Sequence, residues 1–189
     1  MKFAWVVPGR GVPGWGIARV RVARRGTLTV TREEVAMSAP VPGLEAAFEV
    51  DARLGPLEDH GVTRAGHRRV VPIAGGRVSG LFEAAILPGG ADWQVVRPDG
   101  AVEIDTRYSA RTDAGEYVHF RTSGVRSGAP EVLEALLRGE PVEPSRYYFR
   151  VAVHLETSAP RLAGLEQSIF VASAIREADR VRYTAYRVT

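Results

Sequence analysis

Apolar and polar residues alternate with a period of two along most of the chain from residue 44 onward. In the first such segment, 46–54, apolar residues occupy the even positions and charged residues stand at 49, 51 and 53. This alternation is typical of a half-buried β-strand. Similar segments follow at HRRVVPI (67–73), RVSGLFEAAIL (77–87), WQVVR (93–97), AVEIDTRYSAR (101–111), EYVHFRT (116–122), RYYFRVAVHLET (146–157), SIFVASAI (168–175) and RVRYTAYRV (180–188).

Turn signals separate these strands, at Gly75-Gly76, at PDG (98–100) and at DAG (113–115). One segment has a helical period instead: Pro130 can serve as its first residue, apolar residues between 132 and 137 share one face, and Gly139 ends it. Many strands, no βαβ rhythm and one short helix predict an all-β fold. We predict a single antiparallel β-barrel over 43–189, with the helix packed over or across one end, because closure leaves no exposed sheet edge.

Residues 1–36 differ from the rest of the chain. They are dense in Gly and Pro near the start, and they hold seven of the 25 Lys and Arg residues but only two of the 22 acidic ones. Two interpretations stay open: Met37 is the true start of translation and 1–36 an upstream extension, or the segment is a basic, poorly ordered arm. We therefore divide the chain into a basic N-terminal extension, 1–36, and a β-barrel domain, 37–189.

Charge and composition exclude several classes of protein. The net charge is +3, but the first 36 residues carry +5, so the body of the chain carries −2. Nucleic-acid binding would need a basic face on the folded part, so this function has little support. The absence of cysteine excludes disulfides and thiolate chemistry. No apolar run approaches the roughly 20 residues that a membrane-spanning helix needs. A cytoplasmic protein is the simplest interpretation.

Several short motifs carry a family likeness: GHRRVVPIAGG, LPGGADWQVVRPDG, DTRYSARTDAG, YYFR and LETSAP. Together they resemble the bacterial and fungal family known as domain of unknown function 3237, from about residue 43 to the C-terminus, and GGADWQ is the most specific block. The resemblance implies a small antiparallel β-barrel, broadly like lipocalins or allene oxide cyclases, with no established general activity. Where such proteins tend to have an aromatic-rich segment ending in Trp-Leu-Asn, this chain has RLAGLEQ (161–167). If that segment lines the pocket mouth, the ligand differs from that of the relatives.

The GGADWQ block is the first candidate site. Its glycines allow a sharp change of direction, after which Asp92 and Gln94 point to one side of the strand and Trp93 to the other. One interpretation places Asp92 and Gln94 at the rim of a cavity with an aromatic wall nearby. The other makes Asp92 a turn cap and Trp93 part of the core.

Two later strands each present a row of polar side chains. Asp105 and Arg107 share a face of one strand, and a second face carries Tyr148, Arg150, His154 and Glu156. Such faces are usually solvated exteriors. In a ligand-binding barrel they can instead converge inside, where paired charges orient a carboxylate, enol or phenol and a desolvated acid moves a proton. The candidate catalytic residues are Asp92, Asp105 and Glu156, and the candidate ligand-binding residues are Arg69, Trp93, Gln94, Arg107, Tyr148, Arg150 and His154.

Other kinds of site find little support. The four histidines, His60, His67, His119 and His154, lack a metal-ligand spacing, and no phosphate-binding loop or serine-hydrolase motif is present. We expect no metal and no cofactor. Two functions stay open: a cofactor-independent isomerase, cyclase or hydratase acting on an apolar carbonyl or aromatic metabolite, and a non-catalytic barrel that carries such a molecule. The expected partner is a small-molecule ligand, with homo-oligomerisation left open.

Overall fold

The computed structural model describes residues 19–22, 28–31 and 38–189. The chain divides into two compact units, Met1–Val41 and Pro42–Thr189. In the first unit, β1 (Arg19–Val22) pairs antiparallel with β2 (Leu28–Thr31). Met37 and most of 1–36 lie outside the described residues, so both interpretations of this segment remain predictions.

The second unit is an antiparallel β-barrel, as predicted. Eight strand positions close it, in the order β3, β12, β11, β10, β9, β8, then β6 and β7 in one position, then β5, which pairs back with β3. The one α-helix among the described residues is α1, Pro130–Leu137. The strands are β3 (Leu44–Leu54), β4 (Glu58–Thr63), β5 (Gly66–Gly80), β6 (Ala84–Ile86), β7 (Gly90–Val96), β8 (Val102–Thr112), β9 (Tyr117–Gly128), β10 (Tyr147–Thr157), β11 (Phe170–Arg176) and β12 (Arg180–Val188).

The long strand β5 corrects one prediction. Gly75 and Gly76 do not make a turn; the strand runs through both of them, with φ of 138° and 139°. A Cβ on Gly76 would overlap the carbonyl oxygen of Asp51 on β3, so the glycine allows the two backbones to approach closely. Beyond this point β5 changes neighbours: its first half pairs with β4 and β7, and its second half with β3 and β6.

The two ends of the barrel are covered differently. Helix α1 follows β9 directly and buries Val132 and Leu136, so it packs at the end where β9 finishes and β10 begins. We call this the α1 end. At the opposite end a 3-10 helix, Pro160–Gln167, buries Leu162 and Leu165.

An aromatic cluster fills the interior half that is farther from α1. Phe48 lies at its centre, with ring centroids 5.7 Å from Phe82, 6.1 Å from Phe120 and 5.5 Å from Phe170. All four rings are buried. This half of the barrel is therefore a packed core, and any interior site lies nearer the α1 end.

Candidate ligand-binding site in the barrel interior

A cavity lies inside the barrel between the aromatic cluster and the α1 end. The volume open to the centre of a water molecule is about 40 Å³, which exceeds the roughly 10–15 Å³ that one water needs. Most of its wall is aliphatic or aromatic, and its charged and amide side chains are Asp92, Gln94, Arg126 and Arg176. Leu54, Arg176 and Val181 line the cavity and are only half-buried, so it reaches the surface where β3, β11 and β12 end or begin.

Asp92 and Gln94 point into this cavity from β7. Gln94 Nε2 donates a hydrogen bond of 2.7 Å to Asp92 Oδ2, while Asp92 Oδ1 is buried without a hydrogen-bond partner among the described residues. Burial raises the pKa of Asp92, and Gln94, Thr106, the cation Arg126 and the backbone at Asp105 oppose that shift. The carboxyl group is thus desolvated and oriented by Gln94, with Thr106 of β8 beside it.

The two glycines before this pair have different roles. Gly89 has a φ of 108°, a conformation that a residue with a Cβ rarely adopts. Gly90 lies against β8, where a Cβ would overlap the carbonyl oxygen of Arg107 and the side chain of Tyr108. Gly89 therefore turns the chain and Gly90 lets β7 lie tightly against β8, which positions Asp92.

Arg126 enters the cavity from β9. Its side chain is 5% exposed, its guanidinium carbon lies 5.6 Å from the centroid of the Phe149 ring, and its Nε and Nη1 have no hydrogen-bond partner among the described residues. Burial, with a contribution from the nearby cation Arg176, lowers the pKa of Arg126 to about 10. At neutral pH the group therefore remains cationic without an ion-pair partner in the described part of the chain.

Two further arginines surround the same region. Arg69 is buried, and its Nη2 donates to Gln94 Oε1 at 3.4 Å; Arg176 lines the cavity, and its Nη1 donates to the carbonyl oxygen of Arg180 at 3.3 Å. Burial lowers the pKa of both groups. Asp59 interacts with Arg69 and Asp179 with Arg176, in addition to Asp92. Arg126 is therefore the cation of this half that is buried most completely away from an acidic partner of its own.

A pair of tyrosines closes the cavity toward the aromatic cluster. Tyr108 comes from β8 and Tyr183 from β12, and their hydroxyl oxygens lie 2.6 Å apart. Both side chains are buried and both line the cavity. Burial raises the pKa of each hydroxyl, so both remain protonated at neutral pH. We call these two residues the tyrosine pair.

The structure separates the sequence-predicted residues into two groups. Arg69, Asp92 and Gln94 lie inside the barrel. The remaining seven lie on its outer face: Trp93, Asp105, Arg107, Tyr148, Arg150, His154 and Glu156. The prediction that the polar rows of β8 and β10 converge inside is therefore wrong. Each row does share one face, but that face is the solvated one.

The outward placement has a simple physical reason. The inward positions of β8 and β10 hold the residues that pack the interior, such as Ile104, Tyr108 and Val151. Outside, the charges find partners: Arg107 forms a salt bridge of 3.5 Å with Asp105, and Arg150 donates to the backbone. Burying both rows in so narrow a barrel would cost far more desolvation energy than their pairing returns.

Sequence reasoning missed Arg126, Arg176 and the tyrosine pair. Arg126 lies beyond the predicted strand 116–122, in SGVRSG, which has no strand signal because of its glycine and serine residues. The strand continues there because Gly124 fits beneath Val151 of β10, where a Cβ would overlap the backbone. Counting in steps of two from buried Phe120 through Thr122 would have placed Arg126 inside. The segment 160–167 contributes nothing to the cavity wall, so it does not line the pocket mouth.

Fold and interior together define a small antiparallel β-barrel with a largely apolar cavity in one half, into which a few charged and amide side chains project. The chain belongs to the family described as "Protein of unknown function (DUF3237)", whose model matches residues 42–188. This confirms the resemblance drawn from the motifs. None of the helices among the described residues is long and apolar enough to cross a membrane.

Relatives share both sequence and fold. The chain is 39% identical over 149 residues to a UPF0311 protein of Bradyrhizobium diazoefficiens, covering 79% of this chain and 98% of that protein. It is similar to the crystal structure of a conserved protein of unknown function from Rhodopseudomonas palustris, with a TM-score of 0.75 and 38% identity over 80% of this chain and all of that one. A β-barrel-like protein from Acinetobacter baumannii gives a TM-score of 0.71 at 38% identity, covering 81% and 99%.

Proposed function

We propose that the barrel interior binds a small organic anion with an apolar body, and that Asp92 exchanges a proton with it without a cofactor. The anion is a carboxylate or the enolate or phenolate form of a carbonyl or aromatic metabolite. The observation that carries the proposal is Arg126, a buried cation whose Nε and Nη1 have no partner among the described residues and which lines the same cavity as a buried carboxylate.

The charge of the interior supports an anionic ligand. A buried cation without a counter-ion is costly to the folded protein, and Arg126 has no ion-pair partner among the described residues. A ligand anion would offset that cost, and the planar fork of Arg126 suits two oxygen atoms at once. The apolar walls formed by residues such as Val71, Ile73 and Phe149 suit an aliphatic or aromatic body.

The hydrogen-bond arrangement supports a proton-transfer role for Asp92. Arg69 donates to the side-chain amide oxygen Oε1 of Gln94, which directs the amide nitrogen Nε2 of Gln94 to Asp92 Oδ2. Oδ1 then remains available to a ligand. A raised pKa brings the carboxyl closer to the range in which a general acid or base works best.

A catalytic role is compatible with what the fold hosts elsewhere. The barrel is similar in fold to an enzyme from Penicillium herquei, with a TM-score of 0.59 and 19% identity over 80% of this chain and 98% of that one. At this identity the likeness concerns the fold alone, and the residues of the cavity carry the proposal.

Calorimetric titration with matched probes tests the binding. Acetate, benzoate and 4-nitrophenolate are compared with the neutral analogues acetamide, benzamide and nitrobenzene. We expect the protein to prefer an anion over its neutral analogue, and Arg126→Met to remove that preference. Arg121→Met is the matched control, because Arg121 lies on the outer face of the same strand. Equal binding of anions and neutral analogues, or an unchanged preference in Arg126→Met, would contradict the proposal.

Asp92→Asn distinguishes an enzyme from a carrier. The amide keeps the shape of the carboxyl and can still accept the hydrogen bond from Gln94, but it cannot take up a proton. An enzyme loses turnover in this variant while it retains the ligand. If wild-type protein binds the probes but transfers no proton, the barrel is a carrier and the catalytic half of the proposal is wrong.

A further inference from the structure

The hydrogen bonding of the tyrosine pair leaves one donor unused. Two hydroxyl groups carry two protons, and the contact of 2.6 Å between Tyr108 and Tyr183 uses one of them. The other proton has no acceptor among the described residues. Because both side chains line the cavity, a ligand oxygen can accept it.

The two tyrosines are held at this place by the barrel itself. β8 and β12 are four positions apart in the ring of eight strands, so Tyr108 and Tyr183 reach toward each other from opposite walls. Tyr108 stacks on Phe120, with ring centroids 4.8 Å apart and planes 5° apart. The unused hydroxyl is therefore a rigid donor in a water-poor environment, the kind of group that stabilises a developing oxyanion.

Strand register gives the order of the polar groups along the cavity. Arg126 pairs with Val102 of β8 and Asp92 pairs with Thr106, while Tyr108 lies two residues further along β8. At about 3.4 Å per residue, the backbone of Tyr108 is roughly 7 Å beyond the level of Asp92, and that of Arg126 is roughly 14 Å before it. The cation is nearest the α1 end, the carboxylate lies between, and the tyrosine pair is deepest.

From this order we infer that the substrate is an apolar keto acid: its carboxylate binds Arg126, its ketone oxygen accepts a hydrogen bond from the tyrosine pair, and Asp92 acts on a C–H bond next to the ketone. The inference rests on the proposed function and specifies its substrate class. The hydroxyl of the tyrosine pair whose proton is unused becomes a catalytic group of the proton transfer, and the other hydroxyl positions it.

The chemical step balances without a co-reactant. The C–H bond next to the ketone breaks and its proton moves to Asp92 Oδ1. The C–H electron pair forms a C=C bond, and the carbonyl π pair moves to oxygen, giving an enolate that accepts the hydrogen bond from the tyrosine pair. If the proton on Asp92 is first replaced from solvent, its return to the same carbon regenerates an exchanged ketone; its return to a conjugated carbon gives an isomerised one.

Deuterium exchange measured by NMR tests the inference. The probes are 4-oxopentanoate and 4-oxo-4-phenylbutanoate in D₂O at neutral pD, and the protein is expected to accelerate exchange at the carbon next to the ketone. The double variant Tyr108→Phe/Tyr183→Phe is expected to slow that exchange by about 10²-fold or more, the scale for loss of an oxyanion donor, whereas each single variant keeps one hydroxyl donor and is expected to slow it less. All three variants are expected to bind pentanoate, which has no ketone, as wild type does. Tyr148→Phe on the outer face is the control.

The outcomes separate this inference from the proposed function. Exchange that needs Asp92 but continues at the wild-type rate in the double tyrosine variant overturns the inference and leaves the proposed function standing. Failure of wild-type protein to bind any anionic probe overturns both, and binding without exchange overturns the inference. Butyrophenone, which lacks the carboxylate, is expected to bind roughly 10- to 100-fold more weakly than 4-oxo-4-phenylbutanoate. Circular dichroism of each variant verifies its fold.

Discussion

Tyr108 and Tyr183 stand on opposite walls of the barrel, and their hydroxyl oxygens meet 2.6 Å apart in its interior. The pair separates two environments. On one side lies the cluster around Phe48, packed without polar groups; on the other lies the cavity that contains Asp92 and Arg126. The barrel thus keeps a hydrophobic core in one half, which stabilises the fold, and encloses a cavity with charged side chains in the other.

The mutual dependence of the two hydroxyls predicts strong coupling in stability. Either single variant, Tyr108→Phe or Tyr183→Phe, leaves one buried hydroxyl without its partner and is expected to lower the free energy of unfolding by about 1–3 kcal/mol. The double variant replaces both polar groups by apolar ones of similar shape, so its loss should be well below the sum of the two single losses. Urea denaturation of the four proteins measures this; additive losses would show that the contact has no energetic role.

The sequence predicts which side chains share a face more readily than whether that face points inward. Period two placed Asp92 with Gln94 and Arg150 with His154 on common faces, and both groupings are correct. The first pair faces the cavity and the second faces solvent. Alternation with a period of two does not tell which face of a strand points into the barrel. The volume available inside decides this, because bulky apolar residues on the opposite face of β10 already fill the interior.

Glycines account for most of what the sequence pattern could not predict. Gly76 and Gly124 extend strands past the points where composition suggests a turn, because each fits against a neighbouring backbone. A glycine in isolation indicates a turn as readily as a close contact. The sequence pattern therefore does not identify Arg126 as an interior residue, because it gives no sign that strand β9 continues through Gly124.

Substitution by alanine at Gly89 and at Gly90 is expected to lower the free energy of unfolding for two different reasons. Gly89→Ala meets no atoms within 4 Å but must adopt a φ of 108°, at a cost of about 1–2 kcal/mol. Gly90→Ala would overlap β8 at Tyr108, so β7 must move away, at a cost of about 1–3 kcal/mol or more.

The two variants should also differ in ligand binding. Displacement of β7 moves Asp92 and Gln94, so Gly90→Ala is expected to weaken binding of an anionic probe such as benzoate, while Gly89→Ala leaves it largely intact. Thermal denaturation and calorimetry measure the two effects. Equal binding in both variants would mean that contact between β7 and β8 does not position the site.

Arg126 is expected to oppose stability while it supports binding. Arg126→Met replaces an unpaired buried cation by an apolar side chain that can still pack on Phe149. It should therefore raise the free energy of unfolding, on the scale of about 1–4 kcal/mol seen when buried ionic groups are replaced by hydrophobic ones. Binding of benzoate should be lost at the same time. Arg121→Met, on the outer face, should change neither; a destabilised Arg126→Met protein would contradict the prediction.

Arg150 provides the opposite case. Its side chain lies outside the barrel, near the ring of Tyr148, and donates to the carbonyl oxygen of Phe149. Arg150→Lys should therefore alter the free energy of unfolding by no more than about 0.5 kcal/mol and leave benzoate binding unchanged. If calorimetry showed weaker binding of benzoate, Arg150 would have to be part of the binding site, and the outer face of β10 would then contribute to that site.

The raised pKa of Asp92 predicts a pH dependence of stability. In the unfolded chain the carboxyl loses its proton near its ordinary pKa of 3.8, whereas in the folded protein it retains the proton to higher pH. The folded state therefore binds more protons in this window, and stability contributed by this group falls as pH rises from about 3.8 through the folded pKa. Asp92→Asn removes that loss, so the variant should be more stable than wild type at pH 7 and nearly equal to it below pH 3.8.

Asp99 supplies a control of opposite sign. The hydrogen bond from Arg97 lowers the pKa of this exposed carboxyl, so its stabilising effect is present above the unfolded pKa and is lost as pH falls through the folded one. Asp99→Asn should then be slightly less stable than wild type at neutral pH and equal to it in acid. Urea midpoints from pH 3 to pH 8 compare the three proteins. A gain in stability for Asp92→Asn that is the same at every pH would show that the gain comes from packing, and that ionisation of Asp92 inside the barrel is not costly.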